Sequence, residues 1–263
     1  MDLHLNDKVV VITGGATGIG FACAIGFLRE GCKVAICGRS HEKQQSAKKR
    51  ARALGYELLT CIADVSVVSD VEKFAAYVCT HYGKIDVWIN NAGIVIFKTI
   101  LEMSEAEWDQ IVAINLKSVF IGCRVAFHHM EEHGGVILNA ASFAAIIPSA
   151  GSGAYAATKS AILSLTRTLA AELAPSNIRV NAYIPGVIKT EMNSERIVQC
   201  ESSLKAQIAL NEVADADEVV PAIVFLASKA AKYITGAALE VSGGKFCVQN
   251  PDFAWKLKVS SEK

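Results

Sequence analysis

With 263 residues, 52% of them apolar, the chain is long enough to bury one sizeable core, and its 26 basic residues balance its 26 acidic ones. That balance leaves no overall field to draw the chain to nucleic acid or to an acidic membrane surface, so a small, roughly neutral partner is expected. No unbroken apolar run reaches the ~18 residues of a membrane helix, and the opening "MDLHLNDKVVVITGG" is too polar for a secretion signal; a soluble, cytoplasmic protein of one domain is expected.

In chain order, short runs rich in β-branched residues alternate with longer stretches of helical period. The strand candidates are "KVVVIT" (8–13), "KVAICG" (33–38), "ELLTCIA" (57–63), "DVWIN" (86–90), "GVILNA" (135–140), "IRVNAYI" (178–184) and "ALEVS" (238–242). Helices are expected near 18–30, 41–54, 68–82, 104–133, 153–174 and 216–228. The alternation with right-handed crossovers predicts an α/β fold: a doubly wound, parallel, seven-stranded sheet with helices on both faces, in a single domain. Only the stretch 189–215 and the tail after Gly244 lie outside the alternation. Eight cysteines, none in a C-x-x-C pair, read as reduced and mostly buried small hydrophobes.

Such a sheet binds its ligand past the carboxyl ends of its strands. The first strand ends in "TGGATGIG" (13–20), where Gly14 allows a tight turn, Gly18 a close approach of backbone to phosphate and Gly20 close helix–strand packing. The spacing is G-x-x-x-G-x-G rather than G-x-G-x-x-G. "GAYAATKSA" (153–161) sets a phenol, Tyr155, and an ammonium, Lys159, on one helix face. "HHMEEH" (128–133) contains H-x-x-E-H as His129, Glu132 and His133, a spacing that can present two imidazoles to zinc. Its expected position, at a helix end closed by Gly134-Gly135 and opposite the ligand edge, favours a polar helix terminus, and no metal is expected.

In these motifs the chain resembles the short-chain dehydrogenase/reductase family from about Lys8 to Gly244. "TGGATGIG" resembles the family's cofactor loop, "NNAG" (90–93) its fourth-strand signature and Asn115 in "INLKS" its helix asparagine. Ser142, thirteen residues before "YAATK" (155–159), resembles its catalytic serine, and "PGVIKT" (185–190) its nicotinamide loop. The resemblance implies a Rossmann-like oxidoreductase, most similar to 3-oxoacyl-(acyl-carrier-protein) reductases, with Ser142, Tyr155, Lys159 and Asn115 as catalytic residues. An adjacent positive charge favours phenolate by about 1 to 3 pKa units, so Tyr155 is expected to serve as general base or acid. Ser142 would hold the reacting oxygen, and by resemblance Asn115 would hold a water relaying protons from Lys159.

For the cofactor, the resemblance assigns the cradle to Gly14, Thr17, Gly18, Ile19 and Gly20. Asp64 and Val65 would hold adenine, Asn91, Ala92 and Gly93 the adenosine ribose, and Pro185, Gly186, Ile188 and Thr190, with Tyr155 and Lys159, the nicotinamide end. No carboxylate lies between Lys33 and Ser40 to accept from a ribose hydroxyl, and Arg39 offers a planar charged fork to a 2′-phosphate with Ser40 as second donor. NADP(H) is therefore expected, with NAD(H) the alternative.

The substrate is expected to be a small carbonyl or alcohol, or an acyl thioester, and uncharged. The residues expected to line its pocket (Ile94, Val95, Phe97, Phe143, Ala144, Ile147, Pro148 and Val187) include no Arg or Lys; only a lid at about 189–215, with Lys189, Arg196 and Lys205, could supply one. Reductases of ketones or 3-oxoacyl groups come first. An NAD(H)-dependent dehydrogenase of sugars, polyols or hydroxysteroids is the alternative within the family. A nucleotide-binding regulator without turnover, or a metal-dependent hydrolase, is the alternative outside it. A homotetramer is expected, with the 245–263 tail, bearing Phe253 and Trp255, covering a neighbouring subunit.

Overall fold

The computed structural model describes residues 3–261. The chain alternates β1 (Val9–Thr13), α1 (Gly18–Arg29), β2 (Lys33–Gly38), α2 (His41–Ala53), β3 (Leu59–Ile62), α3 (Val68–Tyr82) and β4 (Val87–Asn90). There follow α4 (Glu105–Val112), a π-helical turn (Ala113–Lys117), α5 (Ser118–Met130), β5 (Gly135–Ala140), α6 (Gly153–Glu172) and β6 (Ile178–Pro185). The last third holds β7 (Ile188–Lys189), α7 (Ser194–Lys205), β8 (Ala214–Asp215), α8 (Val220–Ala227), β9 (Ala238–Val241) and α9 (Phe253–Ser261).

Seven strands form one parallel sheet in the order β3-β2-β1-β4-β5-β6-β9. The order reverses between β1 and β4, which opens a crevice at their carboxyl ends. A central parallel strand is covered on both faces, and all five residues of β1 are buried accordingly. One core packs α1, α2 and α8 on the sheet through Phe21, Phe27, Ala47 and Val220. The other packs α3, α5 and α6 through Phe74, Ile121 and Ile162. Each fully buried Val, Ile or Phe contributes about 1.5–3 kcal/mol, so the two cores hold the strand ends in fixed register.

The expected single-domain, doubly wound sheet is what the chain forms, with differences that local sequence explains. The long helix expected over 104–133 is interrupted by the π turn at 113–117. Its start is a capping box: the Ser104 hydroxyl accepts from the Glu107 amide, and the Glu107 carboxylate accepts from the Ser104 amide. Glu105–Met130 is long and apolar enough to cross a membrane by length and hydropathy, yet 56% of its most apolar window is buried, as befits a core helix. The 189–215 stretch contains α7 and a two-stranded parallel sheet, Ile188 pairing with Ala214 and Lys189 with Asp215. All eight cysteines are free thiols; Cys23, Cys32, Cys37 and Cys123 are buried, Cys61 and Cys79 half-buried, and Cys200 and Cys247 exposed.

Candidate active site

A cavity of about 430 Å³ runs across the carboxyl edge of the sheet at the switch point, from Arg39 and Asp64 at one end to the 190–197 segment, Gln207 and Lys245 at the other. The turn between β1 and α1 forms its floor. Gly14 has φ +64°, and a Cβ there would stand 2.8 Å from the Ala92 Cα. At Gly20 a Cβ would meet the Gly14 carbonyl at 2.3 Å, so helix and turn are pressed together where only glycine fits. The N-cap of α1, Thr17, makes no side-chain capping bond. The first-turn amides and the positive end of the helix dipole are therefore left for an anion in the cavity.

The end of β4 is bolted to this turn. Thr13 Oγ1 accepts from the Asn91 amide at 3.0 Å and the Ala92 amide at 3.2 Å. Asn91 Nδ2 donates to the Thr13 and Gly14 carbonyls, both at 3.1 Å, and its Oδ1 accepts from the buried Tyr183 hydroxyl at 3.1 Å. The Asn91 side chain is thus spent on holding the cradle shut, and Thr13 and Tyr183 are parts of the site that sequence reading missed. Both are polar residues near the ends of apolar strands, where such a residue needs a buried partner.

Tyr155, Ser142 and Lys159 all line the middle of the cavity. The Ser142 Oγ accepts from the Ala144 amide at 3.1 Å, which leaves its proton for the Tyr155 phenol. Lys159 is almost fully buried; its Nζ donates to the Ala140 carbonyl at 2.7 Å and lies 5.6 Å from the centre of the Tyr155 ring. Burial lowers the Lys159 ammonium to a pKa of about 8. Burial pushes the Tyr155 phenol up, and the hydrogen bond from Ser142 offsets only part of that rise. In the chain by itself the phenol is therefore held protonated, its burial outweighing the hydrogen bond from Ser142.

Asn115, fully buried in the π turn, does not line the cavity. Its Oδ1 accepts from the Ile94 amide at 2.8 Å and its Nδ2 donates to the Ile94 carbonyl at 2.9 Å. Its side chain clamps the loop after β4 that carries Gly93, where a Cβ would lie 3.4 Å from Asn115 Oδ1 and 3.6 Å from Lys159 Nζ. The π turn, a frequent companion of functional sites, brings that clamp to the lysine.

At the far end Arg39 and Asp64 face each other across 3.9 Å, the arginine more than half exposed. Burial raises the Asp64 carboxyl, but hydrogen bonds from the Ser66 hydroxyl and amide, with the Arg39 charge, bring it below the ordinary carboxylate range. Ser40 is not part of the cavity wall: its Oγ caps α2 by accepting from the Lys43 amide at 3.2 Å. The other residues expected at a cofactor (Thr17, Gly18, Ile19, Val65, Ala92, Gly93, Pro185, Gly186, Ile188 and Thr190) all line it.

The eight residues expected around a substrate also line the cavity, but the expectation of a wall without cations outside the lid does not hold. Lys245, buried at 9% exposure, reaches the wall from beyond β9. Of the three lid cations only Arg196 faces the cavity; Lys189 pairs with Asp215 at 3.3 Å and Lys205 with Glu201 at 2.8 Å. The tail docks on its own chain, Trp255 Nε1 donating to the Ala209 carbonyl at 2.8 Å.

His129, Glu132 and His133 are not brought together. His129 Nδ1 is 3.4 Å from the Cys79 sulfur, and His133 Nε2 is 3.0 Å from the Ile85 carbonyl. Among the described residues no group of three His, Cys, Asp or Glu side chains is arranged to hold a metal.

A family model described as Enoyl-(Acyl carrier protein) reductase matches residues 14–245. The chain is 36% identical over 245 residues to a 3-oxoacyl-(acyl-carrier-protein) reductase of Chlamydia pneumoniae, covering 93% of this chain and 99% of that protein. It is 37% identical over 247 residues to a 2-(R)-hydroxypropyl-CoM dehydrogenase of Xanthobacter autotrophicus, covering 90% and 97%. A solved structure of a short-chain type dehydrogenase/reductase from Mycobacterium marinum superposes with a TM-score of 0.90 at 30% identity, covering 94% of this chain and 99% of that one.

Proposed function

Because the chain belongs to the short-chain dehydrogenase/reductase family, we propose that it reduces a ketone or 3-oxoacyl group to a secondary alcohol with NADP(H), Tyr155 serving as general acid and, in reverse, as general base. The coarser statement, an oxidoreductase of CH–OH and carbonyl groups, follows from the family and its named relatives. The observation that carries the finer reading is the opening of Tyr155, Ser142 and Lys159 onto the same cavity as the Gly14–Gly20 cradle.

The cradle fits a nicotinamide dinucleotide. Gly14 and Gly20 leave no room for side chains, and the α1 amides present an uncapped positive end where a pyrophosphate would lie. Gly14, Thr17, Gly18, Ile19 and Gly20 would hold that group, Asp64 and Val65 the adenine, Asn91, Ala92 and Gly93 the ribose, and Pro185, Gly186, Ile188 and Thr190 the carboxamide end. When bound, the nicotinamide supplies or accepts the hydride.

The chain's own residues manage the proton. Tyr155, kept protonated by burial, donates to the carbonyl oxygen as negative charge grows there. Ser142 holds the same oxygen, with its lone pair fixed by the Ala144 amide so that its proton points outward. Lys159, steered by the Ala140 carbonyl, stores a proton beside the phenol and turns the local field toward phenolate once Tyr155 has given its own up. Asn115 positions this group through Ile94 rather than touching the reacting atoms.

NADP(H) over NAD(H) is supported by Arg39, which sits at the cavity end with no carboxylate on β2 to accept from a ribose hydroxyl. For assembly we propose a homotetramer in the cytoplasm; Phe120 and Trp108, exposed on α5 and α4, supply apolar area for pairing. The test is a screen of NADPH and NADH oxidation against ketones, 3-oxoacyl thioesters, keto-sugars and keto-steroids. Turnover with NADPH that Tyr155→Phe abolishes supports the reading. Nucleotide binding without turnover of any carbonyl would make the protein a sensor instead.

A further inference from the structure

Two cations converge on the substrate end of the cavity with no carboxylate to neutralise them. Lys245 is buried against the Phe143 and Phe246 rings, its Nζ 5.5 Å and 4.7 Å from their centres. Its one hydrogen bond among the described residues goes from Nζ to Gln207 Oε1 at 2.7 Å, which leaves two ammonium donors for the cavity. Arg196 stands at the rim, its guanidinium 5.9 Å from the Phe97 ring, near enough to act on the Lys245 charge. Among the described residues neither cation has an acidic partner within 4.0 Å. Among the described residues the carboxylate that shares that wall, Glu191, is paired with Lys43 at 2.6 Å.

The placement of Lys245 is built. Residues 207–210 and 243–246 are stitched antiparallel: Phe246 donates to Gln207 at 2.8 Å and Leu210 to Gly243 at 3.0 Å, with a bridge between Ile208 and Lys245. Gly243 and Gly244, at φ +65° and +75°, turn the chain so that Lys245 enters the wall. The Lys245 amide is fixed in turn by the Ser242 hydroxyl at 3.2 Å.

An ammonium taken out of water is costly unless something of opposite charge meets it, and a second cation beside it deepens the penalty. Partial shielding by aromatic faces does not discharge it. We infer that Lys245 and Arg196 form an anion subsite, and that the substrate is a ketone or secondary alcohol bearing a carboxylate, sulfonate or phosphate. Lys245 packs on Phe143, the residue after Ser142, and lines the same cavity as Tyr155, so a short keto acid is the first substrate to try. The inference rests on the carbonyl-reductase reading and replaces the uncharged substrate expected from sequence.

Two measurements separate the outcomes. The first compares kcat/KM for matched pairs, a short keto acid, keto sulfonate or keto phosphate each against its neutral ester or ketone analogue, in the wild type, Lys245→Met, Lys245→Arg and Arg196→Gln. The ratio of anionic to neutral kcat/KM should fall about thirtyfold in Lys245→Met, as expected when one partner of a desolvated charge pair is removed, and recover largely in Lys245→Arg. Which of the three acids shows the largest ratio identifies the head group. The second measurement titrates non-reducible short carboxylates, sulfonates and phosphates into the protein saturated with NADP+, by calorimetry. Saturable binding that Lys245→Met weakens, with nucleotide Kd and thermal midpoint kept, supports the subsite even if no carbonyl is turned over, in which case only the reductase reading fails. Equal loss on charged and neutral substrates, or no anion binding by the folded wild type, overturns the subsite while leaving the reductase reading standing.

Discussion

The two ends of the cavity are made differently. At the cradle end, Thr13, Asn91 and Tyr183 are tied together by a chain of hydrogen bonds, and the glycines are pressed against backbone. At the substrate end, the segment around α7 has only a small core, Ile197, Leu204 and Val213, and Lys189 and Lys205 pair with carboxylates on the surface. Buried, fully bonded groups hold one geometry, whereas exposed ion pairs are worth about 0–1 kcal/mol each and let a segment shift. On the proposed reading, the half that would hold the nucleotide is tightly bonded and the half that would hold the substrate is loosely framed.

The largest effect should come where the two ends meet. Tyr155→Phe removes the proposed general acid and should lower kcat by about 10²–10⁴-fold in steady-state assays, with nucleotide Kd unchanged. On the rigid side, Gly20→Ala drives a Cβ into the Gly14 carbonyl and Asn91. It should lower stability by about 1–3 kcal/mol, seen in denaturant unfolding, and weaken nucleotide binding in parallel. Arg39→Asp should shift the NADPH to NADH preference by about ten- to a hundredfold, the worth of hydrogen bonds to a charged group; an unchanged ratio would mean that Arg39 does not read the phosphate.

Smaller effects belong to the loose side. Trp255→Ala, which removes the bond to Ala209, should lower stability by about 0.5–1.5 kcal/mol and raise substrate KM while sparing nucleotide Kd. A parallel rise in nucleotide Kd would show that the two ends are not mechanically separate. The pH profile joins them again. Lys159 has a folded pKa of about 8, below its ordinary value, so its ammonium is present below pH 8 and lost above it. Reductive kcat/KM should be flat below that value and fall as pH rises through it, and the residual activity of Lys159→Arg should lack the limb.

The same contrast governs what could be read from sequence. Strand β1, the glycine turn and the Tyr155/Lys159 pair are written in local spacing, because apolar runs, tight turns and one helix face each need only a few consecutive residues. The doubly wound parallel architecture follows from alternation and handedness, whereas the strand order is supplied by the structure. The clamp of Asn115 on Ile94 was not legible, since it depends on a π turn that adds one residue to an otherwise helical pattern. Ser40 looked like a ligand donor because capping and phosphate binding call for the same hydroxyl. Lys245 was hidden for a longer-range reason: its environment is created by residues 207–210, and nothing in "EVSGGK" announces that partner. At Tyr155 the sequence displays the neighbouring Lys159 charge but not the burial that pushes the phenol up.

The stitch between 207–210 and 243–246 also sets an order of events during biosynthesis. A polypeptide leaves the ribosome amino end first, and Lys245 follows β9, the last strand of the sheet. The cradle and the Tyr155 helix can therefore be in place while the substrate wall is still lacking its lysine. Until Gly243 and Gly244 have emerged and turned the chain, the wall beside Phe143 is without its cation.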